Sequence, residues 1–328
     1  MPAQPLDHET VRALVSAATT APSLHNAQPW RFRGLPDRRT VELRADPDRA
    51  IPRLDPEHRG LHIGCGAALF NLRVAAARAG LQARVRLLPD PDDRWFLATV
   101  HLDDTTAPPD TDLAGLFPVL ERRHTSRHPF EQKPLPSEVQ LVLREAADRE
   151  QVQLVFPEVW HVEALLDQVR DAEGRDEMAP ERFEDVRRWT RIGVRTAVVD
   201  GIPDYAFGPT RRGGRAPVRD FAGRRAVPGR PAAVFETFPN LALLGTARDR
   251  PVDWLRAGQG LERILLVATR QGLATSLTSH SLEQPDLREL ARDPESAMGF
   301  VHMVLRLGYG PPGRATPRRP VDQVLEMA

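Results

Sequence analysis

An apolar stripe at helical spacing marks the first element of the chain. It is formed by Val11, Leu14, Val15 and Ala18. Asp7 stands just before the stripe, where a side-chain oxygen caps a helix. Because a residue that precedes proline favours extended backbone, Pro22 ends this helix near Thr20.

Two long apolar stretches further along the chain resemble each other. Residues 66–81 and 258–273 coincide at one constant offset, and both end in Ala-x-Arg-x-Gly-Leu before a strand. Each is expected to be a buried helix that ends at a left-handed glycine, Gly80 or Gly272. Asp55, followed by Pro56, is predicted to begin the first of them. Two alanine-rich helices can be alike by chance, but the shared ending favours an internal duplication.

The rest of the pattern predicts an α+β fold of mixed sheets wrapped by helices. Strands are expected at 40–43, 83–88, 95–102, 152–156, 241–246 and 301–307. Helices are expected near 113–122, 137–148, 158–172, 181–191 and 253–271. A Thr/Pro/Asp stretch at 104–112 predicts a boundary between residues 1–110 and 111–328. Residues 201–231, rich in Gly, Pro and Arg, predict a lid or a disordered loop.

Composition narrows the class of protein. The 328 residues have no net charge and are 41% hydrophobic, enough for about two domains with a sizeable core. Lys133 is the only lysine, and acidic residues equal basic ones in number, which argues against nucleic-acid binding. The single cysteine, Cys65, fits a reducing cytoplasm. No targeting signal is visible, and no apolar run approaches the roughly 18 residues of a membrane span. We therefore expect a cytoplasmic protein without a membrane or nucleic-acid partner.

The segment between the first helix and the next strand carries the most chemistry. Residues 21–30 read Ala-Pro-Ser-Leu-His-Asn-Ala-Gln-Pro-Trp, with hydroxyl and amide groups at short intervals and no carboxylate. Such a loop suits the binding of a flat polar ring. For any single residue, a well-packed turn with satisfied amides is the simpler interpretation.

Arginines are grouped in two distant segments. Arg123, Thr125 and Arg127 follow one predicted helix, and Arg318 lies near the end of the chain. Guanidinium groups that converge from two segments are what a phosphate monoester requires. In a chain this rich in arginine, either cluster alone is more typical of a solvated surface.

These motifs together resemble those of the nitroreductase family. The loop matches that family's flavin-contacting form Pro-Ser-x-x-Asn-x-Gln-Pro-Trp at every fixed position. Residues 123–127 are similar to its Arg-x-Ser-x-Arg/Lys phosphate segment, with Thr125 in place of serine and one extra residue before Phe130. Residues 309–320 resemble its Gly-Tyr-Pro…Arg-x-Pro ending.

The resemblance implies FMN as cofactor, with NADPH or NADH as a transient electron donor. It assigns no side chain a role as nucleophile, acid or base. The residues that it places at the cofactor are Pro22, Ser23, Leu24, Asn26, Gln28, Arg123, Thr125, Arg127, Thr278, Ser279, His280 and Arg318.

The distribution of the motifs resembles that of the actinobacterial Acg group in this family. Ordinary members carry every motif in one shorter chain and form homodimers, whereas here the loop lies in the first half and the arginine segments lie in the second. The resemblance therefore implies two fused nitroreductase-like halves that form a pseudo-dimer with one surviving flavin site. A monomer is expected.

Two functions of different class follow from the resemblance. One is ping-pong reduction of a nitroaromatic, quinone or similar small-molecule acceptor. The alternative is FMN storage, with residues 201–231 covering the ring.

Other constellations are weaker. His58 with His62, and His124 with His128, have a spacing seen in metal sites but no suitable partner ligand, so no metal is expected. Ser276, Ser279 and His280 suggest a hydrolase, but no nucleophile elbow surrounds them.

Overall fold

The structure is a computed structural model that describes residues 4–104, 110–194 and 198–328. The predicted boundary at 104–112 lies largely outside the described residues. Within the described ranges the α-helices are α1 (His8–Ala18), α2 (Arg59–Arg78), α3 (Thr111–Ala114), α4 (Ser137–Asp148), α5 (Val159–Met178), α6 (Pro180–Arg188), α7 (Pro251–Arg270) and α8 (Pro285–Leu290).

The strands fall into two main sheets and two short pairs. The first sheet contains β1 (Trp30–Leu35), β2 (Thr40–Ala45), β3 (Leu81–Leu87), β4 (Phe96–Asp104) and, from the end of the chain, β13 (Leu325–Met327). The second contains β5 (Gln153–Val155), β10 (Asn240–Thr246), β11 (Ala274–Thr278) and β12 (Phe300–Gly308). The short pairs are β6 (Thr190–Arg191) with β7 (Ile202–Pro203), and β8 (Thr210–Gly213) with β9 (Ala232–Val234). The predicted α+β class is confirmed.

The two main sheets have the same strand order. The first runs β13-β1-β2-β4-β3 and the second runs β5-β10-β12-β11 when it is followed from its opposite edge. Apart from the parallel pairing of β13 with β1, all neighbours in both sheets are antiparallel. Helix α1 packs on α2 as α4 packs on α7, and α2 and α7 occupy the same place in the two orders. This repeated topology supports the internal duplication.

The centre of the molecule is the contact between α2 and α7. Both helices are almost entirely buried. Apolar residues surround α2, whereas α7 also buries polar side chains, among them Gln259, Glu262 and Arg263. A Cβ atom on Gly66 would collide with the carbonyl oxygen of Leu255, and one on Gly258 would collide with that of Ile63. These paired glycines let the two backbones approach closely.

Helix α2 also has the length and composition of a membrane span, contrary to the expectation that no apolar run reaches that length. Of its 18-residue window, however, 89% is buried inside the protein, as in a core helix.

Two predicted helix limits were wrong. Helix α2 begins at Arg59 rather than at Asp55, because His58 adopts the left-handed conformation just before it. Asp55 still caps the helix, since its carboxylate accepts hydrogen bonds from the amides of Gly60 and Leu61, both at 2.9 Å. The expected helix at 113–122 is only α3 and a 3₁₀ turn at Phe117–Val119. Gly115 and a proline within the turn interrupt it.

Residues 201–231 are folded rather than disordered. They include β7, β8 and a 3₁₀ turn at Asp204–Ala206, and they bury Phe207 and Phe221 against the loop that follows α1 and against α6. The chain then returns to the first sheet at its end, where β13 pairs with β1. Residues 201–231 and residues 314–318, which precede β13, border the same cleft.

Candidate active site

A cleft lies between the loop after α1, the first turns of α2, the segment 123–127, β11 and residues 201–231. The empty space in the cleft, counted together with the open solvent at its mouth, is about 1200 Å³. Its apolar walls are formed by Pro22, Leu24, Ile63, Phe221, Leu277 and Met303.

The structure brings most of the predicted cofactor residues to this cleft. Those that line it are Pro22, Ser23, Leu24, Asn26, Arg123, Thr125, Arg127, Ser279, His280 and Arg318. Gln28 and Thr278 do not line it. They are fully buried, and their side chains bond to other parts of the protein.

The loop after α1 has an unusual backbone. His25, Asn26 and Gln28 all have positive φ, at 49°, 56° and 54°, which costs free energy for residues other than glycine. Hydrogen bonds hold this shape. The side-chain amide of Asn26 donates to the carbonyl oxygens of Gly201 at 2.9 Å and Pro317 at 3.0 Å. These bonds connect the loop to the two segments that cover the cleft, residues 201–231 and residues 314–318. The hydroxyl oxygen of Ser23 accepts a bond of 2.9 Å from the backbone amide of Gln28.

Gln28 and Thr278 act behind the cleft. The amide nitrogen of Gln28 donates to the carbonyl of Val199 at 2.8 Å, and its oxygen accepts from the backbone amide of Arg319 at 2.8 Å. The Thr278 hydroxyl donates to the carbonyl of Pro217 at 2.6 Å. Gln28 therefore connects the loop to residues on either side of the cleft, and Thr278 connects β11 to residues 201–231.

Two predicted phosphate residues meet at the end of α1. Arg123 and Arg318 both donate to the carbonyl oxygen of Thr20, at 3.1 Å and 3.0 Å. Arg318 also donates to the side-chain oxygen of Asn26 at 3.0 Å. Burial, together with the charge of Arg123, lowers the pKa of Arg318 to about 9. One carboxylate lies close to this pair, that of Glu262, whose Oε1 is 3.3 Å from Nε of Arg123. The pair therefore has an excess of positive charge.

Arg127 is a third cation at the cleft. It donates to the carbonyl of Ala206 at 3.0 Å and lies 4.9 Å from the centre of the Phe221 ring. Burial lowers its pKa to about 10. Within the described ranges no carboxylate lies within 4.0 Å of it, so an anion in the cleft would compensate its charge.

The segment that carries these arginines is fixed against the second sheet. Thr125 forms a parallel bridge with Thr275, and the backbone amide of Ser126 donates to the Thr275 carbonyl at 2.7 Å. This pairing keeps Arg123, Thr125 and Arg127 at the cleft despite the extra residue before Phe130.

Sequence analysis missed Arg219, which extends from residues 201–231 across the cleft. It donates to both carboxylate oxygens of Glu283, at 3.0 Å and 2.7 Å, and its guanidinium lies 2.9 Å from Nε2 of His25. Its sequence position gives no distinguishing signal, because it stands among many arginines.

Two buried imidazoles lie beside Arg219. Burial, with the nearby charge of Arg219, holds the pKa values of His25 and His280 well below the usual range, so both are neutral at pH 7. Nδ1 of His25 and both ring nitrogens of His280 have no hydrogen-bond partner in the described part of the chain. They are available to a bound molecule. His25 was visible in the loop motif, but its role was not predicted.

The other constellations have structural partners. Nδ1 of His62 lies 2.7 Å from the carbonyl of His58, and Ser279 donates to Glu283 at 2.8 Å rather than to His280. Among the residues described, no group of three or more His, Cys, Asp or Glu side chains is arranged to hold a metal ion.

The residues present fit a molecule with a flat ring and a phosphate. The walls are largely apolar and several arginines line the cleft. Among the described residues, Nε of Arg123 and Nε of Arg318 are buried without a hydrogen-bond partner.

Comparison with known proteins identifies a matching family and several relatives of this chain. A family model described as "Nitroreductase family" matches residues 2–50. The Mycobacterium tuberculosis (strain H37Rv) protein named "Putative NAD(P)H nitroreductase Rv3131" is 35% identical over 98% of this chain and 92% of its own length. "Putative NAD(P)H nitroreductase acg" of the same strain is 29% identical over 100% of this chain and 98% of its own. Among solved structures, a putative nitroreductase from Anabaena variabilis aligns with a TM-score of 0.48 and 10% identity, covering 92% of this chain and 88% of that one.

Proposed function

Because the chain belongs to the nitroreductase family, as its loop motif predicted, we propose that it is an FMN-binding oxidoreductase. It takes electrons from NADPH or NADH and passes them to a nitroaromatic, quinone or similar acceptor, the two substrates using the cleft in turn. The names of its relatives support the choice of electron donor. The same names support the class of acceptor.

The observation that carries this proposal is the meeting of the loop after α1 with arginines from the other half of the chain. Arg123, Arg318 and the Thr125 hydroxyl bind the phosphate of FMN, since all three lie at the cleft and the two guanidiniums share one carbonyl acceptor. Ser23 and Asn26 contact the ribityl chain and the ring edge. Pro22 and Leu24 supply apolar contact.

FMN supplies the redox chemistry, because its N5 accepts a hydride and gives it up again. The side chains of the protein bind, orient and exclude water. His25 and His280, both neutral, offer hydrogen-bonding nitrogens without adding a charge beside the ring. No side chain is required as a nucleophile.

One cofactor per chain follows from the unequal halves. Residues 19–29 connect α1 to β1 and form the loop, whereas only residues 149–152 connect α4 to β5 at the corresponding place. There Glu150 forms ion pairs with Arg263 at 2.7 Å and with Arg73 at 2.6 Å. This short connection has no counterpart of the Pro-Ser-x-x-Asn-x-Gln-Pro-Trp loop. We therefore propose a pseudo-dimer in one chain, which needs no second copy to complete its site.

The alternative function, FMN storage, is favoured by one observation. Residues 201–231 pack onto the cleft through Phe221 and through the ion pair of Arg219 with Glu283. If this contact stays closed, bound FMN is held out of reach of NADPH.

The absorption spectrum of the purified protein distinguishes the two functions. Under anaerobic conditions, bleaching of the flavin band within seconds to minutes of adding NADPH or NADH supports catalysis. A yellow colour that persists with both donors, but is bleached by dithionite, supports storage. A protein that binds no FMN at micromolar concentration contradicts both.

A further inference from the structure

A fully buried glutamate lies behind the two phosphate arginines. Glu262 on α7 has 0% exposure, and neither carboxylate oxygen accepts a hydrogen bond from the described residues. Asn71 of α2 lies beside it. The amide nitrogen of Asn71 donates to the hydroxyl of Thr20 at 3.0 Å, which leaves its own oxygen without a donor. Glu262 and the Asn71 side-chain oxygen are thus both buried without a hydrogen bond in the described part of the chain.

Helix packing alone does not explain this carboxylate. Its ion pair with Arg123, 3.3 Å long, lacks hydrogen-bond geometry, so burying the carboxyl group still costs free energy that an apolar side chain of similar size would avoid. The repeat contains that alternative. At the constant offset that aligns Gly66 with Gly258, the residue that corresponds to Glu262 is Phe70, which is also fully buried. The half that contributes Glu262 therefore has a reason to keep a titratable group there.

The charges around Glu262 suggest that reason. When it is ionised, it neutralises part of the positive charge of Arg123 and Arg318 and competes with a phosphate for them. When it is protonated, its hydroxyl can donate to Asn71, and both arginines keep their full charge for the ligand.

We propose that Glu262 is a positioning residue that takes up a proton when the phosphate of FMN binds to Arg123 and Arg318, and so makes FMN affinity depend on pH. The proposal rests on the phosphate site described above. It adds a regulation that the motifs themselves do not contain.

The groups that face Glu262 fix the direction of this dependence. Burial raises the pKa of Glu262 to about 7, against the opposing effects of Arg123, Asn71 and Arg318. The other titratable group near the arginines is His124, whose pKa burial and the two arginines lower to about 4. His124 is therefore neutral throughout the range of interest. The loop after α1 contributes the polar groups of Thr20, which carry no charge.

A bound phosphate raises the pKa of Glu262 further, because its negative charge disfavours a second anion nearby. Below pH 7 the carboxyl is protonated with or without FMN, and Glu262 adds no pH dependence. Above pH 7 the empty site loses the proton while the filled site keeps it, so FMN affinity falls as pH rises. With a slope of up to tenfold per pH unit, we expect about tenfold weaker binding at pH 8.5 than at pH 7.0. The second pKa of the phosphate, near 6, lies below this window.

The test is a titration of the full-length apo protein with FMN and with riboflavin between pH 7.0 and 8.5, followed by flavin fluorescence. The wild-type dissociation constant for FMN should rise about tenfold across the range. That for riboflavin, which has no phosphate, should stay constant. In Glu262→Gln the FMN profile should become flat, and FMN should bind more tightly than to the wild type at pH 8.5. Glu150→Gln, which changes a buried glutamate outside the cleft, should keep the wild-type profile.

A second measurement needs no variant. Calorimetric titration at pH 7.5 in buffers of different ionisation enthalpy should show net proton uptake with FMN and none with riboflavin. Equal wild-type affinities for FMN and riboflavin at every pH would refute the phosphate site itself. A clear FMN preference with no proton uptake, or with an unchanged slope in Glu262→Gln, would leave that site standing and overturn the role of Glu262.

Discussion

Arg318 joins three parts of the fold through one guanidinium group. It bonds to Thr20 at the end of α1, to Asn26 in the following loop, and to Thr316 in its own segment. Arg123 shares only the first of these contacts. The two arginines should therefore differ in how selectively they recognise a phosphate.

Replacing Arg123 with Ala removes a charge-assisted contact worth roughly 1.5–3 kcal/mol, or about ten- to a hundredfold in FMN affinity. Riboflavin affinity should change little, because riboflavin lacks the phosphate. Arg318→Ala should weaken both ligands, FMN more strongly, since it also releases Asn26. Fluorescence titration of each apo variant measures these constants. Unchanged FMN preference in both variants would move the phosphate elsewhere.

Gln28→Ala should act mainly on stability. The side chain is fully buried and bonds to Val199 and to the backbone of Arg319, so its loss leaves buried polar groups unpaired. We expect a cost of about 1–3 kcal/mol, measured as a lower midpoint in urea. The affinities of this variant for FMN and for riboflavin should fall by similar factors. Selective loss of FMN alone would mean that Gln28 contacts the phosphate.

The motif predicted which residues lie near the cleft better than it predicted which side chains line it. A pattern of residue types does not show that His25, Asn26 and Gln28 adopt positive φ, and that backbone turns Gln28 away from the cleft. Nor could it single out Arg219, whose role depends on a contact with Glu283 far along the chain.

At the level of elements, apolar periodicity and capping residues predicted the helix limits correctly where no glycine or proline interrupted the pattern. Helix α4 has the limits that were predicted, because its apolar face is regular and a proline precedes it. Both long helices end at a left-handed glycine, with φ of 76° at Gly80 and 78° at Gly272. The helix predicted at 113–122 does not form as one element, because Gly115 and a proline in the following turn interrupt it.

Residues 201–231 form the element on which the choice between catalysis and storage depends. Arg219→Ala removes its bonds to Glu283 and His25 and should loosen the segment without removing a phosphate contact. We expect NADPH to bleach bound FMN at least several-fold faster in this variant, in anaerobic stopped-flow measurements. Arg212→Ala, at an exposed position of the same segment, is the matched control. Equal rates in all three proteins would show that this contact does not limit access.

For the whole molecule, the distribution of the motifs predicts how many FMN molecules each chain binds. One loop and one set of phosphate arginines predict one FMN per chain, with the chain remaining a monomer because the α2–α7 contact already joins its halves. Absorbance of the denatured protein measures the flavin content, and light scattering measures the mass. Two flavins per chain, or FAD in place of FMN, would contradict the division of motifs. A tight dimer would contradict only the expected monomer.

The sequence repeat and the split motifs predict two related halves, and the repeated strand order supports that prediction. They did not predict that β13 adds to the first sheet, because a strand of three residues has no periodicity to detect. Its pairing with β1 depends on the tertiary contacts of both halves.

That late pairing has a consequence for how the protein is made. Arg318 follows every other residue of the cleft in the chain, so the ribosome delivers the phosphate site last. A nascent chain can fold α1, both long helices and most of each sheet before Arg318 and β13 emerge. A premature stop codon shortly before position 316 would leave most of the core but would remove Arg318 from the cleft.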